Sequence, residues 1–336
     1  MTVAINDFSR EGLRGRELEQ RVVSDLLRRA AQGGGGGVVL VEGEPGTGKS
    51  LLLRQAVDEA AGYGFSLAAG AADQLGQTIQ LFALRAALGE PFARFTAGRL
   101  GQDVHDAPAW WIGQMRAHLE QRAASNPVLV CMDDVQWACP ATLAALRTLS
   151  LALKRHPVAW VLARSGAPQH DAEYLFDVLE QDGAVRISMP SLADEAVAAL
   201  LTDAFGAPPD QSLTALAAGA AGNPSLLVEL IGGLRDDAAV RLTGGRAVLV
   251  SDRLPRRVHR VARQRLDGLS KRAQHLLVTA AVLGPSFRLE DAAELMGETP
   301  GAVLPAVQET MDVGIMSSAE NLFSFRHQLQ IGRAHV

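Results

Sequence analysis

The stretch VVLVEGEPGTGKSLLLRQAV, Val38–Val57, joins an apolar run to a helical one through a glycine-rich turn. Val38-Val39-Leu40-Val41 is short, apolar and mostly β-branched, the pattern of a strand buried on both faces of a parallel sheet. Gly43-Glu44-Pro45-Gly46-Thr47-Gly48-Lys49-Ser50 follows at once and satisfies G-x-x-x-x-G-K-[ST] at every fixed position. Leu51 to Val57 then opens a helix. Glycines let the backbone curl so that successive N–H groups converge on phosphate oxygens. The helix N-terminus adds partial positive charge behind them. In such a loop Lys49 reaches the β- and γ-phosphates and the Ser50 hydroxyl is a ligand for Mg²⁺. A strand–helix turn without a ligand is the plainer alternative. A complete motif with a strand before it and a helix after it favours nucleotide.

Outward from this stretch, strands and helices alternate. Leu13–Ala31 reads as a helix with Leu18, Val22, Leu26 and Ala30 on one face. The five glycines Gly33–Gly37 read as a bare flexible lead into the strand. Further strands are expected at Phe65–Ala69, Val128–Met132, Val158–Leu162 and Ala184–Ser188, and helices at Thr78–Leu88, Pro108–Ala124, Ala141–Lys154 and Ala172–Gln181. Gly89–Asp106 is irregular. This alternation predicts an α/β fold, a parallel sheet covered on both faces.

The strand Val128–Met132 ends in Asp133-Asp134, the acid that a phosphate-binding loop needs opposite its lysine. Asp133 is placed to hold Mg²⁺ through its water shell. Asp134 is placed to orient or deprotonate an attacking water. Arg164, at the tip of the next strand, is expected on the same edge, where it would sense the γ-phosphate.

After Ser191 the pattern changes. Three helical segments fill Ser191–Leu234, the first with Asp194 and Glu195 in its opening turn. Helices follow at Arg256–Leu266, Lys271–Leu283, Leu289–Met296 and Pro300–Asp312, then a strand pair at Gly314–Ser317 and Leu322–Arg326. Helices closed by a short hairpin read as a winged-helix module. The expected division is a P-loop core over 1–190, a helical lid over 191–250, a winged-helix-like domain over 251–329, and a tail over 330–336.

Composition narrows the function classes. The 336 residues carry a net charge of −5, which gives no global electrostatic case for nucleic acid. Arg253–Arg272 is locally basic, with eight Lys or Arg against Asp267 alone, but Val258, Val261 and Leu266 interleave its arginines as in the solvated face of an amphipathic helix. Cys131 and Cys139 form no metal-cage or secreted-scaffold pattern and read as reduced thiols. Charges at Asp7, Arg10, Glu11 and Arg14 stand where a signal peptide needs an apolar core, and no segment reads as a membrane helix, so a cytoplasmic location is expected. Trp110-Trp111 reads as helix packing into the core, with a partner-facing aromatic pair as the alternative, and His327, with no catalytic partner in view, as structural.

Five phrases together resemble a family. LRGRELEQRVVSDLL (from Leu13) is similar to the opening box of STAND-type ATPases of the AAA superfamily. VLVCMDDVQWACPATLAAL (from Val128) resembles the acidic strand of the large ATP-binding LuxR-type regulators. GNPSLLVEL (from Gly222) resembles the Gly-x-Pro motif of their lid. LPRRVHRVARQRLDGLSKRAQHLLVTAAVLG (from Leu254) and FSFRHQL (from Phe323) resemble the start and close of their winged helix. The resemblance implies a P-loop core, lid and winged helix working as a nucleotide switch. ATP with Mg²⁺ would hold an assembling form and ADP a closed one, with slow hydrolysis. It places Arg16 of the Gly15-Arg16-Glu17 box near the adenine, Pro224 against the base or ribose, and Arg164 as the sensor arginine. It implies self-association on ATP binding, an inducer or protein partner of unknown identity, and DNA contact only through a C-terminal helix-turn-helix beyond this sequence. Two departures stand out: Cys139 replaces an aspartate, and after His-Gln-Leu the chain turns to Gln330–Val336, which reads as a non-native tail. The alternatives are an AAA-type remodelling ATPase and a STAND module fused to another output such as a cyclase or kinase.

Overall fold

The computed structural model describes residues 15–73, 76–89, 92, 107–166, 170–250, 255–319 and 322–326. His327, Gln330–Val336, the start of the first helix at Leu13 and nearly all of the irregular stretch after Gly89 lie outside these. The chain forms two compact units: Arg16–Gly43 with Gly48–Met189, and Met1–Gly15 with Glu44–Thr47 and Pro190–Val336.

The first unit is a five-stranded parallel sheet. Its strands are β1 (Gly37–Gly43), β2 (Ser66–Ala71), β3 (Val128–Asp133), β4 (Val158–Ser165) and β5 (Val185–Met189), in spatial order β2-β3-β4-β1-β5. α1 (Glu17–Ala31) precedes β1, and the strands are linked through α2 (Lys49–Gly62), α3 (Phe82–Leu88), α4 (Ala107–Ser125), α5 (Pro140–Ala152) and α6 (His170–Gln181). β3 and β4 are buried at every residue but the last, which is why Val128–Met132 and Val158–Ala163 are unbroken apolar runs rather than alternations; the buried Arg164 at the end of β4 is the exception. Val130, Met132, Trp160 and Leu162 from these strands pack with Leu146 and Leu149 of α5 and Met115 and Leu119 of α4.

Two expectations need correcting. The glycines before β1 are more than a linker. A Cβ on Gly36 would stand 2.1 Å from the Val158 carbonyl oxygen and 2.8 Å from that of His156, so only glycine lets the chain enter the sheet beside β4. Trp110 is not a core residue: it is 55% exposed, while Trp111 is the one that packs toward the core. Consecutive helix positions differ by about 100° in direction, so both indoles cannot face inward.

The second unit holds α7 (Asp194–Phe205), α8 (Gln211–Ala218), α9 (Pro224–Asp236), a hairpin of β6 (Val240–Thr243) and β7 (Arg246–Leu249), then α10 (Arg256–Asp267), α11 (Lys271–Leu283), β8 (Ser286–Arg288), α12 (Leu289–Met296), α13 (Pro300–Asp312), β9 (Met316–Ala319) and β10 (Leu322–Phe325). One apolar cluster gathers Leu201, Leu213, Leu227, Leu230 and Leu234. Another gathers Leu276, Leu277, Phe287, Val303, Ile315 and Met316 around an antiparallel sheet of order β8-β10-β9. The β6–β7 hairpin was not expected, although Gly244-Gly245, both at positive φ, is a strong two-residue turn signal. On α10, Val258 is buried and Arg256, Arg260 and Arg263 are exposed, while Arg257 pairs with Glu229 at 2.6 Å.

Gly36→Ala is expected to destabilise the chain by about 1–3 kcal/mol through overpacking against backbone. Gly62→Ala, where a Cβ meets nothing within 4 Å, is the matched control. The difference reads out as a lower urea midpoint for Gly36→Ala alone.

Candidate functional site

Parallel strands end on one edge, and in this sheet the edge collects β1 ending at Gly43, β3 at Asp133 and β4 at Ser165. α2 begins at Lys49, with Gly48 as its N-cap in a left-handed conformation (φ +102°) and no side chain capping it. Gly46 is also left-handed, at φ +85°. The backbone thus has the curled form that the motif predicts, with a glycine rather than a side-chain acceptor at the N-cap.

Lys49 is only 4% exposed. Its Nζ donates to the Gly43 carbonyl oxygen at 3.0 Å. Burial pushes the amine down to about 8, against the pull of the Asp133 and Asp134 charges, which raise it. Burial likewise pushes the Asp133 carboxyl up, opposed by a hydrogen bond from Ser50, then reinforced by the Asp134 charge. The site therefore brings together the loop lysine, the loop serine and the strand-end aspartates, as their sequence positions suggested. Ser50 and Asp133 supply hard oxygen donors of the kind Mg²⁺ takes. Among the described residues no group of three or more His, Cys, Asp and Glu gathers. A cation held by Ser50 and Asp133 would complete its shell with water and substrate oxygens.

Asp134 sits in a left-handed conformation (φ +51°) where the chain leaves β3 for a 3₁₀ turn at Val135–Trp137. Its N–H donates to Asp133 Oδ1 at 2.9 Å. Two residues that the sequence reading missed hold it. Gln136 Nε2 donates to Asp134 Oδ1 at 2.9 Å, and Ser165 Oγ lies 3.4 Å from the same oxygen. Gln136 Oε1 in turn accepts the Ser165 N–H at 2.8 Å. The only sequence signal for Gln136 was its place two residues beyond the aspartate pair.

Arg164 is not brought to these carboxylates. It pairs with Glu42 at 2.7 Å and with Glu173 of α6, and its guanidinium lies over the Phe176 ring, 4.9 Å from the centroid. Arg186 of β5 joins the same network through Glu173, Asp177 and Glu180. Successive strand residues face opposite ways, so at the end of β4 it is Ser165 that meets Asp134 and Arg164 that turns away. Arg16 is buried, with Nη1 3.1 Å from Glu19 Oε1.

In the second unit, the loop tip Glu44–Thr47 is held by the start of α9 and by the residue that follows β10. Asn223 Nδ2 donates to the Pro45 carbonyl at 2.9 Å, and the Ser225 N–H donates to the Gly46 carbonyl at 3.1 Å. Asn223 also caps α9, accepting the Leu226 N–H, with Pro224 at the first helical position. Gly222 (φ +70°) closes against Leu192: the Leu192 N–H donates to its carbonyl, and a Cβ would stand 2.3 Å from the Leu192 oxygen. Arg326, after β10, forms an ion pair with Glu44. Thr47 Oγ1 donates back to the Glu44 carbonyl at 2.9 Å.

Residues 12–161 match the family model described as the AAA ATPase domain. The chain is similar in fold to the Walker-type ATPase paby2304 of Pyrococcus abyssi, with TM-score 0.61, 14% identity and 97% of each chain covered. It is also similar to the Aeropyrum pernix ORC2 protein in ADPNP-ADP complexes (TM-score 0.59, 17% identity, 96% of this chain and 93% of that). The A. pernix ORC1 protein in complex with DNA matches at TM-score 0.58 and 17% identity, over 98% of this chain and 94% of that. No curated protein matches the sequence. At these identities the likeness speaks for the fold, which is that of the P-loop nucleotide hydrolases.

Asn223→Ala removes both a cap and a donor to the loop and is expected to cost about 1–3 kcal/mol. Asn223→Asp keeps the cap and loses the donor. Faster amide exchange at Gly46 and Thr47 in both variants, with the larger drop in thermal midpoint for alanine, would check the two roles separately.

Proposed function

We propose that this chain is an ATP-binding switch that hydrolyses its nucleotide slowly, the regulatory module of a LuxR-type transcription regulator whose DNA-binding domain lies outside this sequence. Nucleotide binding rests on one observation above all: the Lys49 amine is almost fully buried, bonded to the Gly43 carbonyl and within the field of the Asp133 and Asp134 carboxylates, at a helix start whose N-cap is a glycine. A triphosphate matches that electrostatic demand.

In this reading the amides of Gly43–Ser50 cradle the phosphates, including those of Glu44, Gly46, Thr47 and Gly48. Lys49 offsets charge on the β- and γ-groups. Mg²⁺, held by Ser50 and Asp133, would neutralise charge on the phosphate oxygens. Asp134 orients a water whose oxygen attacks the γ-phosphorus as the bond to the ADP oxygen breaks. The water's proton passes to Asp134 or to the departing phosphate. Arg16 and Pro224 keep the base contacts that the family resemblance assigns them. The sensor role has no support at Arg164, and Ser165 is better placed for it.

The switch reading, over a motor, is supported by the loop tip. Glu44, Pro45 and Gly46 are held by Arg326, Asn223 and Ser225, which lie about 180 to 280 residues further along the chain. A change at the phosphates is thereby felt in the lid and the winged hairpin. Self-association on ATP binding would be the output.

Lys49→Ala is expected to abolish binding of ATP and ADP in calorimetry. Asp134→Asn is expected to keep ATP affinity and to lose turnover by about 100-fold or more. Bound ADP released on denaturing the purified chain, with turnover independent of protein concentration, supports the switch. Empty protein with fast turnover that rises with concentration would mean a remodelling motor instead.

A further inference from the structure

The best-placed unassigned group near the site is Gln136. It is buried at 8% exposure in the 3₁₀ turn after β3, and both ends of its amide are used. Oε1 takes a backbone N–H from the tip of β4, at Ser165, and Nε2 gives a proton to Asp134 Oδ1. The orientation of the amide is settled by its partners, because a backbone N–H needs an acceptor and a carboxylate needs a donor. We propose that Gln136 is a positioning residue for hydrolysis, a bridge between two strand ends that aims the Asp134 carboxylate at the water.

The geometry shows why such a bridge is needed. Asp134 is in the left-handed region at φ +51°, uncommon for a residue with a side chain though less so for aspartate, and its contacts fix it there. It stands at the end of a strand, with its N–H on Asp133. Gln136 and Ser165 both approach Oδ1. Among the described residues no hydrogen bond falls on Oδ2, which leaves that oxygen to take a water. Without Gln136 only the longer contact from Ser165, at 3.4 Å, would hold the carboxylate, and the oxygen presented to the water would be less well defined. Gln136 also forms part of the wall of a cavity of about 360 Å³ lined by Gln77, Cys139, Leu143 and Asp171.

This inference rests on the reading of Asp134 as the residue that serves the water, and the test separates the two. Gln136→Met keeps the length of the side chain and loses both hydrogen bonds. Gln136→Glu keeps an acceptor for Ser165 and loses the donor to Asp134. Both are expected to lower kcat by about 10- to 100-fold, the cost of a misplaced catalytic group. The Kd for a non-hydrolysable ATP analogue, measured on the same full chain, should stay within about twofold, because the interaction acts on turnover and not on binding. The Ser165 amide resonance should move in Gln136→Met and stay close to wild type in Gln136→Glu. If Asp134→Asn loses turnover while both Gln136 variants keep theirs, the positioning role is wrong and the Asp134 reading stands. If Asp134→Asn turns over normally, the Asp134 reading falls and Gln136 with it. A loss of analogue affinity parallel to the loss of kcat would reduce Gln136 to a structural strut.

Discussion

A charged amine can be buried only where acceptors and opposite charge surround it, and the burial of Lys49 imposes that condition on the whole first unit. Its hydrogen-bond acceptor is the last carbonyl of β1, and its compensating charges come from the end of β3. β4 runs between those two strands, parallel to both. The order of the sheet is thus what lets the lysine exist in its place. The same order puts Ser50 against Asp133, so one arrangement serves the amine and the candidate cation site together.

The central position of β4 also explains how two neighbouring residues come to do different work. Arg164 faces Glu42 of β1, its register partner, and ties the sheet to α6 through Glu173 and Phe176. Ser165, one residue on, faces the aspartates and receives the Gln136 bridge. The ion-pair network binds the edge of the sheet beside the loop, and the amide bridge sets the carboxylate within it. A one-residue shift of β4 would exchange these environments, which is why its register against β1 and β3 matters.

In the second unit a short phrase carries several duties because its backbone is cramped. Gly222 is where the chain passes the Leu192 carbonyl too closely for any side chain. Asn223 starts α9 and reaches the loop tip with the other end of the same amide. Pro224 takes a position whose N–H no helix bond would use. The hydrogen bonds on Pro45 and Gly46 go to backbone carbonyls, yet a Cβ on Gly46 would stand 2.7 Å from Asn223 Oδ1, so the grip also demands glycine there.

The elements of the sheet were legible in the sequence because each fully buried strand must be apolar throughout, as in Val128–Met132 and Val158–Leu162. The helices α11, α12 and α13 were legible because their ends carry local signals such as Ser270 and Pro300. The residues of the phosphate loop were legible too, since glycine at fixed spacing reflects a local backbone requirement. Chemistry that depends on pairs distant in the chain was not. The sequence could not say that Gly36 must avoid the Val158 carbonyl, that Arg164 turns toward Glu42 and leaves Ser165 at the site, or that Gln136 spans from Asp134 to Ser165. Local backbone preference and burial are written into each segment by itself. Which side chains meet at a strand end depends on register and facing direction, and those exist only once the strands have paired.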